Sequence, residues 1–228
     1  MDEVSCHDQS CFVTLTYRHT DGDLHKDDLQ RFWKRLRKAI DPVKIRYFAC
    51  GEYGGKGNRP HYHAIIFGWR PDDLKLVSCF GSESRFSSAM LAEVWKLGFV
   101  SVGDVTLASA KYCAKYLAKL DDRPHNVKPF TVMSRKPGIG HSVITPQLLV
   151  TGIRYFDGKQ YVVPKYYLDQ LEKQGFNVEV LKARREEVAK QRSPEYFGEE
   201  DFEKLRQENK FSEAKLKSFP QFVHHLST

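Results

Sequence analysis

Two kinds of hydrophobic pattern follow one another along the first part of the chain. Residues 12–17 are rich in β-branched and aromatic side chains, which predicts a first β-strand. The apolar residues that come next recur every three or four positions, which predicts an amphipathic helix within residues 24–40, ended by Asp41-Pro42. The apolar positions of this helix are Leu29, Phe32, Trp33, Leu36 and Ile40.

The same two patterns continue to about residue 120. Strands are predicted at residues 45–50, 59–68 and 99–102, and helices at residues 87–97 and 106–120. The order β-α-β-β-α-β over residues 11–120 predicts an α+β fold. Helices packed on one face of its sheet would leave the other face open to a ligand.

The composition changes after Pro164. Asp157-Gly158 lies between two β-type segments and predicts a tight hairpin. Beyond it, the chain is highly charged and weakly amphipathic, which predicts a helical C-terminal appendage. We therefore expect a first domain over residues 1–167 and an appendage over residues 168–228.

Overall charge favours a polyanionic partner. The chain of 228 residues carries a net charge of +7 and is 13% aromatic, so rings are present for stacking on bases. No apolar run is long enough to cross a membrane, and the N-terminus is unlike a secretory signal, so we expect a cytoplasmic protein. The five cysteines include no Cys-x-x-Cys pair, which favours reduced thiols over a disulfide frame or a zinc site.

A His-x-His pair gives the first candidate chemistry. His61 and His63 lie two apart on a predicted strand, so both imidazoles point to one face. Glu52 ends the strand expected to pair with this one, and its carboxylate would meet both rings. Two histidines and one carboxylate with open positions suit Mg²⁺ or Mn²⁺ acting on a phosphate. The alternative is two hydrogen-bonded histidines on a sheet face beside a solvated carboxylate.

A tyrosine pair gives the second. Tyr112 and Tyr116 are four apart on a predicted helix and share one face, beside a ladder of Lys111, Lys115 and Lys119. A free phenol, with a pKa of about 10, is a weak nucleophile, and neighbouring ammonium groups lessen that handicap. The alternative is a pair of core aromatics.

Further basic residues are candidates for contact with DNA. One group lies on the polar face of the first helix and another in a Gly/Pro-punctuated loop at residues 134–140. Cations at such positions suit phosphate contacts, although a solvated helix face or a simple turn has the same composition. The candidate DNA-binding residues are Arg31, Lys34, Arg35, Lys38, Lys111, Arg135 and Lys136.

Together these motifs resemble a known family. The strand at 12–17, Gly51-Glu52-Tyr53-Gly54, the His-x-His strand, the double-tyrosine helix and the loop at 134–140 occur in the order found in microvirus replication initiators. The chain is most similar to the gokushovirus branch, within the HUH endonuclease superfamily, from about Cys11 to Tyr167. Such initiators usually carry a cysteine-bearing segment before the first strand, and few residues precede Phe12 here.

The resemblance implies a fold, a reaction and partners. It implies a ferredoxin-like or RRM-like antiparallel sheet, and rolling-circle initiation by a metal-dependent nick that leaves the protein on a 5′-phosphate. His61, His63 and Glu52 take the metal-ligand positions, Tyr112 and Tyr116 the nucleophile positions, and Lys115 and Lys119 those of supporting cations. The implied partners are single-stranded DNA at a viral replication origin and a host DNA polymerase. A host helicase is added because the sequence has no Walker-type nucleotide-binding motif.

Other functions remain open at this stage. A relaxase or single-tyrosine transposase would use the same chemistry, although the close tyrosine pair and the short chain argue against them. A catalytically silent, RRM-like single-stranded nucleic-acid-binding module would share the sheet and the basic charge. A structural metal site would require a closed ligand set that the motif does not provide.

Overall fold

The structure is a computed structural model that describes residues 1–54, 57–80, 83–115, 126–156 and 158–191. Internal contacts divide the chain into two compact units, residues 1–143 and 144–228. Within the described residues, no helix combines the length and the apolar character that crossing a membrane requires.

The first unit is built on an antiparallel sheet. Its strands are β1 (Ser10–Tyr17), β2 (Arg46–Tyr53), β3 (Pro60–Phe67), β4 (Lys75–Phe80), β5 (Glu83–Ser87), β6 (Gly98–Gly103) and β7 (Phe130–Met133). They lie side by side in the order β4-β5-β6-β1-β3-β2-β7, and neighbouring strands run antiparallel. The central order β6-β1-β3-β2 is that of a ferredoxin-like sheet, which confirms the predicted α+β class.

Two helices cover one face of this sheet. They are α1 (Lys26–Ala39) and α2 (Ala89–Trp95). The apolar stripe of α1 packs with Trp95 of α2 against every second residue of the central strands, such as Leu15, Tyr62 and Ala64. Since alternate residues of a strand point to opposite faces, His61 and His63 must point away from this helical layer.

A third helix lies on the opposite face. Helix α3 (Leu107–Lys115) contacts β2 and β3 and places Cys113 against Cys50 and Ile65. All five cysteines are free, as predicted. Helix α3 therefore brings the segment that carries Tyr112 to the same face as the His-x-His pair.

The N-terminal turn is fastened to the start of β2 by a buried carboxylate. Glu3 accepts hydrogen bonds from Arg46, His7 and the backbone N–H of Gly140. Burial alone would raise the pKa of Glu3, but these three donors outweigh it and hold the pKa below its usual value. The guanidinium of Arg46 also donates to the carbonyls of Pro137 and Gly138, each at 2.8 Å. These bonds hold the predicted loop at residues 134–140 at the end of the sheet away from His61.

Strand β6 can approach β1 closely because it begins with a glycine. A Cβ atom at Gly98 would lie 2.1 Å from the carbonyl oxygen of Thr16 and 2.4 Å from the backbone nitrogen of Arg18. Any other residue would therefore force the two strands apart. The close approach fixes the register in which Phe99 lies opposite Thr16.

The second unit is smaller and mainly helical. It comprises α4 (Gln147–Thr151), β8 (Ile153–Phe156), β9 (Lys159–Val162), α5 (Lys165–Lys173) and α6 (Glu179–Gln191). Strands β8 and β9 pair as the hairpin predicted around Asp157-Gly158. Arg185 of α6 donates to the carbonyl of Val163 at 2.8 Å. Helices α5 and α6 agree with the predicted helical character of this part, and residues 192–228 of the predicted appendage lie outside the described residues.

Candidate metal centre and nucleophile

Three potential metal ligands converge on the face opposite to α1. In the pairing of β2 with β3, Glu52 lies opposite His61, and His63 lies two residues further along β3. Glu52 Oε1 is 2.8 Å from His61 Nε2 and 3.0 Å from His63 Nε2. One ligand atom from each residue lies within 4.8 Å of the others, so the structure contains a candidate metal-binding group. The sequence predicts this meeting of the Glu52 carboxylate with both imidazoles.

The far nitrogen of each imidazole is also hydrogen-bonded. His61 Nδ1 donates to the carbonyl of Arg59 at 3.0 Å, because a carbonyl can only accept. His63 Nδ1 is 3.0 Å from the hydroxyl of Thr14 on β1. A proton held on Nδ1 leaves the Nε2 lone pair for a metal, which is the usual arrangement of a metal-bound histidine. Neutral imidazoles in this tautomer therefore suit a cation beside Glu52.

The Glu52 carboxylate is buried, with 2% of its surface exposed. Burial alone would raise its pKa, but hydrogen bonds and charge from His61 and His63 outweigh it and hold the pKa well below its usual range. Its second oxygen, Oε2, is buried without a hydrogen-bond partner among the described residues. A buried carboxylate oxygen of this kind is costly unless it binds a cation or a donor. The donor set therefore fits a hard divalent metal such as Mg²⁺ or Mn²⁺.

Tyr112 joins this group from α3. Its hydroxyl donates to Glu52 Oε1 at 2.5 Å, and its ring meets the ring of His63 edge-on with centroids 4.9 Å apart. On its other side, His63 stacks on Phe12 at 5.5 Å. The phenol oxygen of Tyr112 thus lies beside the three ligand atoms, on the side of the sheet where a bound phosphate would meet both.

The other predicted catalytic residues are less accessible to description. Lys115 is the last residue of α3, and nothing is described of its side chain. Tyr116 and Lys119 lie outside the described residues. Their roles stay predictions.

Comparison with known proteins relates this arrangement to phage replication. A family model described as replication-associated protein ORF2 matches residues 10–121. Replication-associated protein VP4 of Bdellovibrio phage phiMH2K is 35% identical over 186 residues, covering 73% of this chain and 59% of its own length. ORF4 of Chlamydia phage 1 is 30% identical, covering 75% and 48%, and ORF2 of Spiroplasma virus 4 is 29% identical, covering 78% and 64%. Both bear the same description, replication-associated protein.

The chain belongs to the phage replication-associated proteins. The match to the family model includes Glu52, His61, His63 and Tyr112. The chain spans about half to two thirds of the length of these relatives. No solved structure matches this replication-associated protein significantly.

The basic residues predicted to bind DNA lie in three different places on this replication-associated protein. Lys111 is exposed on α3, next to Tyr112. Arg135 and Lys136 are exposed at the Arg46 end of β2, about 20 Å from Glu52 at the rise of an extended strand. The four cations of α1 lie on the helical side of the sheet, opposite to the metal-binding group.

Two of the α1 cations already have protein partners. The Arg35 guanidinium donates to the carbonyls of Val94 and Trp95, where it caps the end of α2. Arg31 pairs with Asp28 at 3.1 Å. Lys34 and Lys38 are exposed. Contact between DNA and α1 would therefore involve a different part of the DNA from the part at the metal-binding group.

Thr14 is a site residue that the motif search did not find. It lies opposite His63 in the pairing of β1 with β3, and its hydroxyl meets Nδ1 of that ring. Replacing Thr14 with valine keeps the shape but removes the hydroxyl that orients the imidazole. We expect the affinity for Mn²⁺ to fall about 10- to 100-fold, measured by calorimetric titration of the purified protein.

Thr16→Val is the matched control for this prediction. Thr16 is on the same strand and face, two residues along. Its substitution should leave Mn²⁺ affinity unchanged. Equal affinities for Thr14→Val and the wild type would show that the hydroxyl does not orient a metal ligand.

Proposed function

We propose that this protein is a rolling-circle replication initiator, which nicks and rejoins single-stranded origin DNA through a covalent tyrosine link. One observation carries the proposal. The Tyr112 hydroxyl and the Nε2 atoms of both histidines all meet one oxygen of Glu52. A nucleophile and a metal-binding group thus occupy one small region of an open sheet face, in a member of the phage replication-associated proteins.

The divalent metal would be held by His61, His63 and Glu52. When bound there, Mg²⁺ or Mn²⁺ would supply Lewis-acid polarisation of a DNA phosphate. Thr14 and the carbonyl of Arg59 would keep the two imidazoles in the required tautomer. The low dielectric around the buried Glu52 carboxylate strengthens its attraction for a cation.

Tyr112 is the proposed nucleophile. Its phenol oxygen would form a bond to phosphorus, while the bond between phosphorus and the 3′-oxygen breaks. The phenol gives up its proton as it attacks, and Glu52 Oε1 already accepts the hydrogen bond of that hydroxyl. The departing oxygen takes up a proton and becomes a free 3′-hydroxyl. The reverse attack rejoins the strand without ATP, because the phosphotyrosine preserves a phosphodiester.

A second tyrosine would allow repeated transfers. Tyr116, four residues after Tyr112, is proposed to attack while Tyr112 is occupied. Lys115 and Lys119 are proposed to favour the phenolate and to neutralise the phosphate. Lys111 is exposed on α3, where it could contact the DNA backbone.

The remaining partners follow from this reaction. The free 3′-hydroxyl would prime a host DNA polymerase in the bacterial cytoplasm, on a phage origin opened by a host helicase. Arg135, Lys136 and the exposed cations of α1 are proposed to hold DNA that continues beyond the nick. We further propose that residues 1–167 are sufficient for nicking and that residues 168–228 are an appendage.

A nicking assay tests the proposal. The protein is incubated with circular single-stranded phage DNA in Mn²⁺ or in EDTA, and the products are separated on a denaturing gel. We expect a cut that requires the metal and leaves protein on the 5′ end. A chain ending at residue 167 is expected to give the same product at a similar rate.

Two results would count against parts of the proposal. Binding of DNA without any cut, on several phage DNAs that include origins of related phages, would favour a silent binding module. Loss of nicking by a folded chain of residues 1–167 would assign the remaining residues to the active domain.

A further inference from the structure

An exposed aromatic residue lies in line with the metal-binding group across the sheet. Phe99 of β6 is paired with Thr16 of β1, Thr16 with His61 of β3, and His61 with Glu52 of β2. Residues that are directly paired across strands share a face. Phe99 therefore lies on the same face as the metal-binding group, two strands or about 10 Å from His61.

The surroundings of Phe99 are unusual for a large apolar side chain. Phe99 is 43% exposed, although it lies in the second strand from the centre of the sheet. The neighbouring positions of this row and strand, Thr16 and Ser101, are polar. An exposed ring among polar residues gains nothing from packing within the fold, which is the usual signature of a contact surface.

Positive charge is held around this ring. The guanidinium carbon of Arg18 lies 5.5 Å from the Phe99 ring centroid, over its face. Arg59 donates to the carbonyls of Tyr17 and Arg18, which fixes a second guanidinium at the end of β1. Both residues are exposed. A polyanionic strand that reaches the metal-binding group would therefore meet two cations and an aromatic face on the same side.

We propose that Phe99 and Arg18 form a stacking site for a nucleobase of single-stranded DNA close to the cleaved phosphate. This inference rests on the proposed function, because it takes the metal-binding group as the place of the cut. The Phe99 ring would stack against the base, while the planar guanidinium of Arg18 would shift to the adjacent phosphate or cover the base. Stacking tolerates any base, so this site positions the strand without reading its sequence.

Three substitutions at Phe99 test the stacking site. Binding of a fluorescein-labelled mixed-sequence oligodeoxynucleotide is measured by anisotropy in EDTA, so that no cleavage occurs. Phe99→Ala and Phe99→Leu should each weaken binding by about 10-fold or more, because neither offers a flat ring. Phe99→Trp should bind as tightly as the wild type, and its added indole fluorescence should be quenched by the DNA.

The control is Leu76→Ala, which removes an apolar side chain that is 60% exposed on β4, at the edge of the same sheet. It should bind DNA as the wild type does. Because the Phe99 ring is partly in solvent, each variant should melt close to the wild-type temperature, and Phe99→Leu serves if Phe99→Ala does not fold. Wild-type affinity of a folded Phe99→Leu variant would overturn the stacking site.

A parallel reaction in Mn²⁺ separates this inference from the proposed function. A wild-type covalent adduct together with unchanged binding by Phe99→Leu would overturn the stacking site alone. Weakened binding by Phe99→Ala and Phe99→Leu, with no adduct from the wild type, would support the stacking site as part of a binding module.

Discussion

Replacing both His61 and His63 with alanine is expected to abolish metal-dependent nicking and to remove the Mn²⁺ stabilisation of the protein. Two of the three potential ligand atoms are lost, leaving only the Glu52 carboxylate. Lewis-acid polarisation is worth several kcal/mol, so nicking should fall by at least about a thousandfold. Denaturing gels measure the nick, and melting curves with and without Mn²⁺ measure binding independently of activity.

A triple variant provides the control for this experiment. Removing the histidines alone leaves the buried Glu52 carboxylate without two of its hydrogen-bond partners, which itself costs stability. Adding Glu52→Gln removes the charge, so the triple variant should recover stability while remaining inactive. A purely structural role predicts another result. The wild type would then melt at the same temperature in Mn²⁺ and EDTA, and the triple variant would lose about 2–5 kcal/mol, as after a core deletion.

Replacing Tyr112 and Tyr116 together with phenylalanine is expected to abolish the covalent protein–DNA adduct. Each change keeps the ring and removes only the hydroxyl that would attack phosphorus. Each single variant should retain partial nicking if the two tyrosines are interchangeable, whereas the double variant should lose at least about a thousandfold. The adduct is measured as labelled DNA that migrates with the protein on a denaturing gel.

Tyr155→Phe is the matched control, because Tyr155 is a tyrosine on β8 that is 66% exposed. It should form the adduct at the wild-type rate. Loss of one hydrogen bond to Glu52 should cost Tyr112→Phe only about 1 kcal/mol of stability, so unfolding should not obscure the result. Adduct formation by the double variant at the wild-type rate would exclude both tyrosines as nucleophiles.

The strongest sequence signals predicted the centre of the fold and the metal-binding group. The apolar stripe of α1 has a long, clear helical period, and the His-x-His strand has alternate residues on opposite faces by geometry alone. Glu52 could be placed because neighbouring strands in the chain usually pair. These features depend on local pattern and short connections, so the sequence is sufficient to predict them.

Features that depend on distant partners could not be predicted. The hairpin of β4 and β5 and the short strand β7 have mixed polar and apolar residues, which give no clean alternation. Glu3 gave no signal either, since its partners Arg46 and Gly140 are far along the chain. The cap that Arg35 makes on α2 joins residues separated by about sixty positions. Long-range pairings of this kind appear only once the chain is folded.

The metal-binding group depends on the register between β2 and β3. Strands have a period of two, so one residue added within β3 before His61 would turn both imidazoles into the helical layer. The connection at residues 54–59 lies outside this ladder and is closed by a hydrogen bond from Gly54 N to Arg59 O. Insertions there would leave the register intact. Alignments of related replication-associated proteins should therefore hold the spacing of the two histidines fixed while allowing the distance from Glu52 to His61 to vary.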